Sequence, residues 1–253
     1  LIGSIIVPAF LEKEYSAISF LLLAAAQFRE VRNMERSTLK AMEETEMVKR
    51  GSAYIEGIAR VFEARNYLAI WVSLSIAITG ESLAFLGLWR IVPSTLVGVI
   101  LAVGLNQLMQ GEKIGEIAQV DLAPIHFEGP FLMVGHMTMK NIGLKEARKV
   151  YEERGLGALI QPHGPNAKAT LANLGQMHAI AYDVTSMIGV YMDVDEQEFV
   201  PLVRRDPDSG NLHIAFLPSE PDPEAFLAAI RRVPVLEGAI RKPLTSTAGK
   251  MLD

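Results

Sequence analysis

The stretch LAIWVSLSIAITGESLAFLGL at 68–88, followed by Trp89-Arg90 and then IVPSTLVGVILAVGLNQLM at 91–109, decides the fold. Each apolar run matches the ~20 residues a helix needs to cross a bilayer core. Between Tyr67 and Gln110 the only charged residues are Glu81 and Arg90. One such run could be the core helix of a soluble protein, but two in succession argue for a membrane. An indole and a guanidinium at 89–90 suit the membrane–water interface. Pro93 suits the first turn of a helix, where its missing N–H has no partner to lose. Residues 67–110 are therefore expected to form a transmembrane helical hairpin.

Working upstream, LIGSIIVPAFL at 1–11 and YSAISFLLLAAAQF at 15–28 flank the charged triplet Glu12-Lys13-Glu14. Neither run alone is a full crossing. The second becomes one if its helix starts near Pro8 or Phe10. Residues 1–27 are thus expected to be a transmembrane region. Because residue 1 is Leu, the first run is expected to close an earlier helix whose start lies upstream. No basic segment precedes it, so it does not resemble a secretory signal.

The segment 28–66 has a different composition. It carries eight basic residues, Arg29, Arg32, Arg36, Lys40, Lys49, Arg50, Arg60 and Arg65. The 12–14 loop holds Lys13 alone and the hairpin tip holds Arg90 alone. The positive-inside rule then makes 28–66 cytoplasmic, and with it everything after the hairpin. The expected localisation is the cell membrane, multi-pass. Seven acidic residues share the 28–66 segment. Glu46–Arg50 and Glu56–Arg60 stand at i,i+4 in the favourable order, so a charged helical connector is expected. Gly51 interrupts it, and a second helix is expected from Ser52, as N-cap, through the 67–88 span.

Within that second helix Tyr54-Ile55-Glu56-Gly57-Ile58-Ala59 spells YIEGIA. With AAAQFREVRNMERSTL at 24–39, VFEARNYLA at 61–69, ATLANLGQMHAI at 169–180 and PVLEGAIRKP at 234–243, the chain resembles the YIEGIA protein family along most of its length. The resemblance implies a multi-pass membrane protein of endospore-forming bacteria. It brings no catalytic residues with it.

Downstream, residues 111–253 hold 14 basic and 19 acidic residues and alternate short elements. Strands are expected at 117–122, 131–134, 158–161 and 189–193. Helices are expected at 144–154 and at 166–176, the latter capped by Asn166. A hairpin of 199–205 with 212–217 turns across Asp206-Pro207-Asp208-Ser209-Gly210, a strong turn signal that argues against an all-parallel sheet. Asp222, with Pro223 behind it, caps a last helix to Arg232. The whole is a soluble mixed α/β (α+β) domain, with the apolar run 120–139 leaning on the membrane.

Composition removes several functions. The chain has no cysteine, which excludes disulfides, thiolate nucleophiles and Cys-ligated metals. A net charge of −5 argues against nucleic-acid binding. His126, His136, His163, His178 and His213 include no pair at i,i+3 or i,i+4, so no helix offers a metal pair and no metal or other cofactor is expected. Asp193, Asp195, Glu196 and Glu198 lack the spacing of a Ca²⁺ loop and read as a solvated acidic loop. No Gly-x-Ser-x-Gly elbow is present.

The best candidate for a ligand is an anion at the start of the 166–176 helix, met by His163, Asn166, Lys168 and Thr170, although the spacing is not that of a P-loop. Glu81, inside an apolar span, either pairs with Arg90 or lines an ion or proton path. The expected function is a non-enzymatic membrane assembly or regulatory factor linked to sporulation. Its partners would be the lipid bilayer and membrane proteins or further copies of itself. A transport or channel component, and a membrane-anchored sensor of a small anion at 164–170, are the alternatives.

Overall fold

A computed structural model describes residues 2–45, 48–108, 111–191 and 201–245. The chain divides into two compact units. One comprises Leu1–Lys40 with Glu56–Gln110, the other Ala41–Ile55 with Gly111–Asp253. The acidic loop at 193–198, the Glu46–Arg50 pair and the first residues of the 199–205 strand lie outside the described residues, at least in part.

The first unit is helical. Helix α1 (Ile2–Leu11) and helix α2 (Tyr15–Ala26) are separate, which corrects the expected span from Pro8 or Phe10. The break sits at 12–14, where Lys13 takes φ 60° and so cannot continue a right-handed helix. Helix α3 (Phe28–Glu43) follows almost at once, and helix α4 (Ser52–Ser82) then runs for 31 residues. The expected helix to residue 88 ends six positions early. A 3₁₀ stretch, Ala84–Arg90, replaces its last turns, broken at Gly87 with φ 55°. Helix α5 (Ile91–Leu108) carries Pro93 in its first turn, as Pro tolerates.

The chain packs α3 on α4 through charge. Arg32 forms ion pairs with Glu56 and, at 3.1 Å, with Glu63. Arg36 and Arg60 reach Glu56 at 3.8 and 3.4 Å. Phe28 meets Tyr67 edge-on at 5.8 Å. Positions 56, 60, 63 and 67 are one helical stripe. Partners at 28 and 32 on α3 meet successively earlier residues of α4, so the helices run antiparallel. Gly3 lets α1 approach Ile70 and Ser73 closely, and Gly98 on α5 lies beneath Ile76 of α4.

Two helical stretches, Ser52–Ser82 and Ala84–Gln107, are long and apolar enough to cross a membrane. Many of their apolar side chains are exposed. Trp71, Leu96, Ile100 and Val103 are all more than half exposed, with Ile100 at 61%.

The second unit is α+β, and from Gly111 it opens with a single helical turn, α6 (Ile114–Ile117). Four antiparallel strands stand in the order β1 (Ala118–Ala123), β5 (Leu156–Pro162), β7 (Leu212–Phe216), β6 (Leu202–Arg205). Three more form an antiparallel meander, β2 (Ile125–Glu128), β3 (Phe131–Val134) and β4 (Met137–Asn141). The 206–210 hairpin is present, with Arg205 opposite Leu212.

Strand β7 is buried on both faces, and its alternation sorts two cores. Leu212, Ile214 and Phe216 face a cluster formed with helix α9 (Leu174–Ile188) and helix α10 (Pro223–Arg232). There Phe226 stacks on Phe216 at 5.6 Å. Ala215 and Leu217 face the other way, onto Leu132, Val134, Met139 and Tyr151 of the meander and helix α7 (Lys145–Arg154). Much of the apolar run at 120–139 is core of this unit, with Val120, Leu132 and Val134 at most 2% exposed, while Leu122 and Phe131 are exposed.

Three further expectations are corrected. The single helix at 166–176 is two, helix α8 (Pro165–Leu171) and α9. Gly164, not Asn166, precedes the first, and the capping oxygen is Asn173 Oδ1, which accepts from Gly175 and Gln176 N–H. The 189–193 strand reduces to one bridge, Val190 with Pro218, with 192–193 outside the described residues. Asp222 caps α10 as expected, its Oδ1 accepting from Glu224 and Ala225 N–H.

Candidate functional site

The hexapeptide occupies the first turns of α4, and the division between units falls between Ile55 and Glu56. In the α/β unit the Tyr54 hydroxyl donates to Asp183 Oδ1 of α9 at 2.5 Å, and its ring meets Tyr182 edge-on at 6.0 Å. Arg50 lies over the Tyr182 ring at 4.4 Å and donates to its hydroxyl. Burial raises the Tyr54 phenol, and the Asp183 carboxylate beside it raises it further. Burial also raises Asp183, against the opposing pull of the Tyr54 hydrogen bond and Arg50.

Close approach makes this cluster possible. A Cβ on Gly51, at φ 81°, would meet His178 Nδ1 at 2.6 Å, and one on Gly175 would overlap Ala53. In the helical unit Glu56 binds Arg32 and Arg60. Burial works to raise its carboxyl, but the two guanidiniums hold it below the usual carboxylate range. Ile55 and Ala59 are fully buried, while Gly57 and Ile58 are half-buried.

Glu81 and Arg90 stand 3.7 Å apart, and Arg90 also donates to the Gly80 carbonyl at 3.5 Å. The helix ends at Ser82, so this carboxylate lies in the last turn of α4 and not two turns inside a span.

The loop residues proposed for an anion have other partners. Thr170, 4% exposed, accepts from Arg241 N–H at 3.0 Å. Asn166 Oδ1 accepts from Leu244 N–H at 3.4 Å. Lys168 donates to the Asp208 carbonyl at 3.3 Å with its stem against Gly210. His163 is exposed. Helix α8 has seven residues, too short to gather much of a dipole at that end.

Strand pairing assembles a group that spacing does not announce. His136 follows Gly135 in the two-residue loop joining β3 to β4, where Gly135 takes φ 58°. Asp206 opens the β6–β7 turn, and His213 is the second residue of β7, on the meander-facing side. A ring nitrogen of each histidine and a carboxylate oxygen of Asp206 all lie within 4.8 Å of one another. His136 Nε2 is 3.3 Å from Asp206 Oδ2, and the two rings stand edge-to-face at 5.0 Å.

The Ser209 hydroxyl, the Asp208 N–H and His136 hold the Asp206 carboxyl down at about 2. Burial lowers the His213 ring, against the pull of its bond to the Val134 carbonyl. At neutral pH the group therefore offers a carboxylate and a neutral imidazole. The one sequence signal for it is a histidine in the otherwise apolar strand LHIAF.

The family described as "YIEGIA protein" matches residues 1–246. The chain is 43% identical over 242 residues to the "Uncharacterized protein YphB" of Bacillus subtilis (strain 168), covering 96% of this chain and 80% of that one. No solved structure matches. On a match of that extent, with the hexapeptide in place at 54–59, the chain belongs to the YIEGIA protein family.

Proposed function

We propose that this protein is a multi-pass membrane protein that acts without chemistry of its own, as an assembly or regulatory factor linked to sporulation. The observation that carries the membrane reading is the outward-facing apolar surface of α4 and α5. None of the best apolar window of Ser52–Ser82 is buried, and 11% of that of Ala84–Gln107. A soluble protein would hide such helices in its core, and outward-facing apolar helices need lipid or a partner.

The Lys and Arg of the 28–66 segment support a cytoplasmic side for it, and for residues 111–253 with it. The cytoplasmic unit then serves to recruit membrane-protein partners or further copies of the chain. The Glu81–Arg90 ion pair favours a structural role for that carboxylate over an ion path.

Phosphatase and fluorescent-protein fusions at Gly87 and Asp253 test the topology. Phosphatase activity at Gly87 with fluorescence at Asp253 supports it, and phosphatase activity at Asp253 overturns it. Deletion of the gene tests the second half, since unchanged spore yield would remove the link to sporulation.

A further inference from the structure

We propose that His136, Asp206 and His213 bind one divalent transition-metal ion, Zn²⁺ being the best match. Two imidazoles and a carboxylate form a donor set suited to borderline metals, and too rich in nitrogen for Mg²⁺ or Ca²⁺. Geometry supports it from three sides.

The first is His213. Its ring is 2% exposed, and Nδ1–H donates to the Val134 carbonyl at 3.0 Å. A backbone carbonyl on one ring nitrogen is the arrangement that orients a metal-binding histidine and fixes its tautomer. The lone pair then sits on Nε2, which is buried and takes no hydrogen-bond partner among the described residues. Such an atom loses its water without replacement, and a metal ion supplies one.

The second is Asp206. It is 6% exposed, and its Oδ1 is oriented by the Asp208 N–H at 3.0 Å while the Ser209 hydroxyl reaches Oδ2. That supporting shell holds the carboxylate where a ligand must stand.

The third is His136. Its side chain is 72% exposed, and the loop that carries it is a tight glycine turn. Ligands at ~2.1 Å from a common ion stand ~3.4 Å apart in a tetrahedron, somewhat closer than the 4.8 Å within which one ligand atom of each of the three residues lies. His136 Nε2 already stands 3.3 Å from Asp206 Oδ2, and its exposed imidazole is free to adjust toward the ion by a change of rotamer. Three protein ligands leave a coordination position for water, as in open rather than closed zinc sites.

The test uses the full chain without a polyhistidine tag, purified in mild detergent and stripped of metal by chelating resin. Titration with CoCl₂ is followed by visible absorption, and ZnCl₂ is then added in competition. One equivalent of Co²⁺ is expected to saturate a ligand-field band, and Zn²⁺ to abolish it. His136→Ala and Asp206→Asn are each expected to weaken binding by at least ~10-fold. His126→Ala and His163→Ala, histidines outside the group, leave it unchanged.

His213→Asn is also expected to weaken binding, but a buried substitution can unfold the unit. His136→Ala, on an exposed side chain, is the deciding variant. Absence of a saturable band at one equivalent overturns the proposal. So does binding that survives both His136→Ala and Asp206→Asn, or binding that either control removes.

Discussion

Tyr54→Phe removes one oxygen from the first residue of the hexapeptide and leaves the ring in place. That oxygen donates to Asp183 Oδ1 at 2.5 Å. The edge-on contact with Tyr182 at 6.0 Å needs only the ring, so it survives. What remains is a half-buried carboxylate with one fewer donor. A hydrogen bond to a charged group contributes about 1.5–3 kcal/mol, so the variant should open the α/β unit roughly 10- to 150-fold more often.

The chain suits the measurement. It has no cysteine, so Ala229→Cys, at a position 3% exposed on α10, supplies a single protected thiol. The labelling rate of that thiol, relative to the denatured chain, reports the opening free energy. Trp71 and Trp89 both belong to the helical unit, so tryptophan fluorescence would not report the right event.

The pH dependence has a sign of its own. Burial raises Asp183 in the folded state above its unfolded value. Its contribution to stability is therefore complete below ~4 and is lost as pH rises through the folded value. The Tyr54 hydrogen bond opposes that shift. Removing it drives the folded value higher and enlarges the loss at neutral pH. The Tyr54→Phe deficit should be greater at pH 7 than at lower pH, because once the acid is protonated the bond is an ordinary one of ~0.5–1.5 kcal/mol. In an Asp183→Asn background the same substitution should fall to that smaller value at neutral and at lower pH. A change of less than about threefold at pH 7, or a deficit larger at pH 4, would refute this account of the cluster.

Gly51→Ala combines a left-handed φ of 81° with a Cβ 2.6 Å from His178 Nδ1, so it should destabilise the α/β unit by ~1–3 kcal/mol in the same thiol assay. Gly143→Ala, with open space around it, should change the rate little. Asp222→Ala removes the cap of α10 and should cost about 1 kcal/mol, with labelling correspondingly faster. Glu81→Gln removes one member of an ion pair 3.7 Å long whose side chains are each about two-fifths exposed. Such pairs contribute ~0–1 kcal/mol, so protein level and spore yield should stay near wild type. Loss of sporulation at normal protein level would instead favour an ion path.

Much of the α/β unit was readable because its signals are local. The 206–210 turn carries Pro, Asp, Ser and Gly within five residues, and Asp222-Pro223 is a helix start whatever surrounds it. Helix α9 was missed for a local reason too. The helix expected at 166–176 runs straight through Asn173 and Gly175, whereas Asn173 begins a new one and Gly175 admits Ala53. Strands β2 and β4 have four and five residues with mixed polarity, so neither shows a period by itself, and each exists only by pairing with β3. Helix α4 shows the opposite failure. Its apolar pattern runs on past Ser82, although the α-helix ends there and a 3₁₀ stretch kinked at Gly87 follows.

The histidine group lies beyond any such local reading, and the reason is topological. His136 and Asp206 are 70 positions apart, and His213 and Val134 are 79. No spacing rule for metal ligands searches that far, because those rules describe ligands on one helix or one loop. What does reach that far is alternation. In LHIAF the odd-numbered positions His213 and Ala215 share one face, opposite Leu212, Ile214 and Phe216. Ala215 lies in the core with Val134, so His213, two residues before it, must stand near the end of β3. The turn that follows β3 is two residues long, which delivers His136 to the same place. A polar residue on the inward face of a fully buried strand needs a partner there. The Val134 carbonyl satisfies one nitrogen of His213 and leaves the other without a hydrogen bond among the described residues, and a ligand atom of His213 lies within 4.8 Å of those of Asp206 and His136, which is the physical ground for expecting a metal ion.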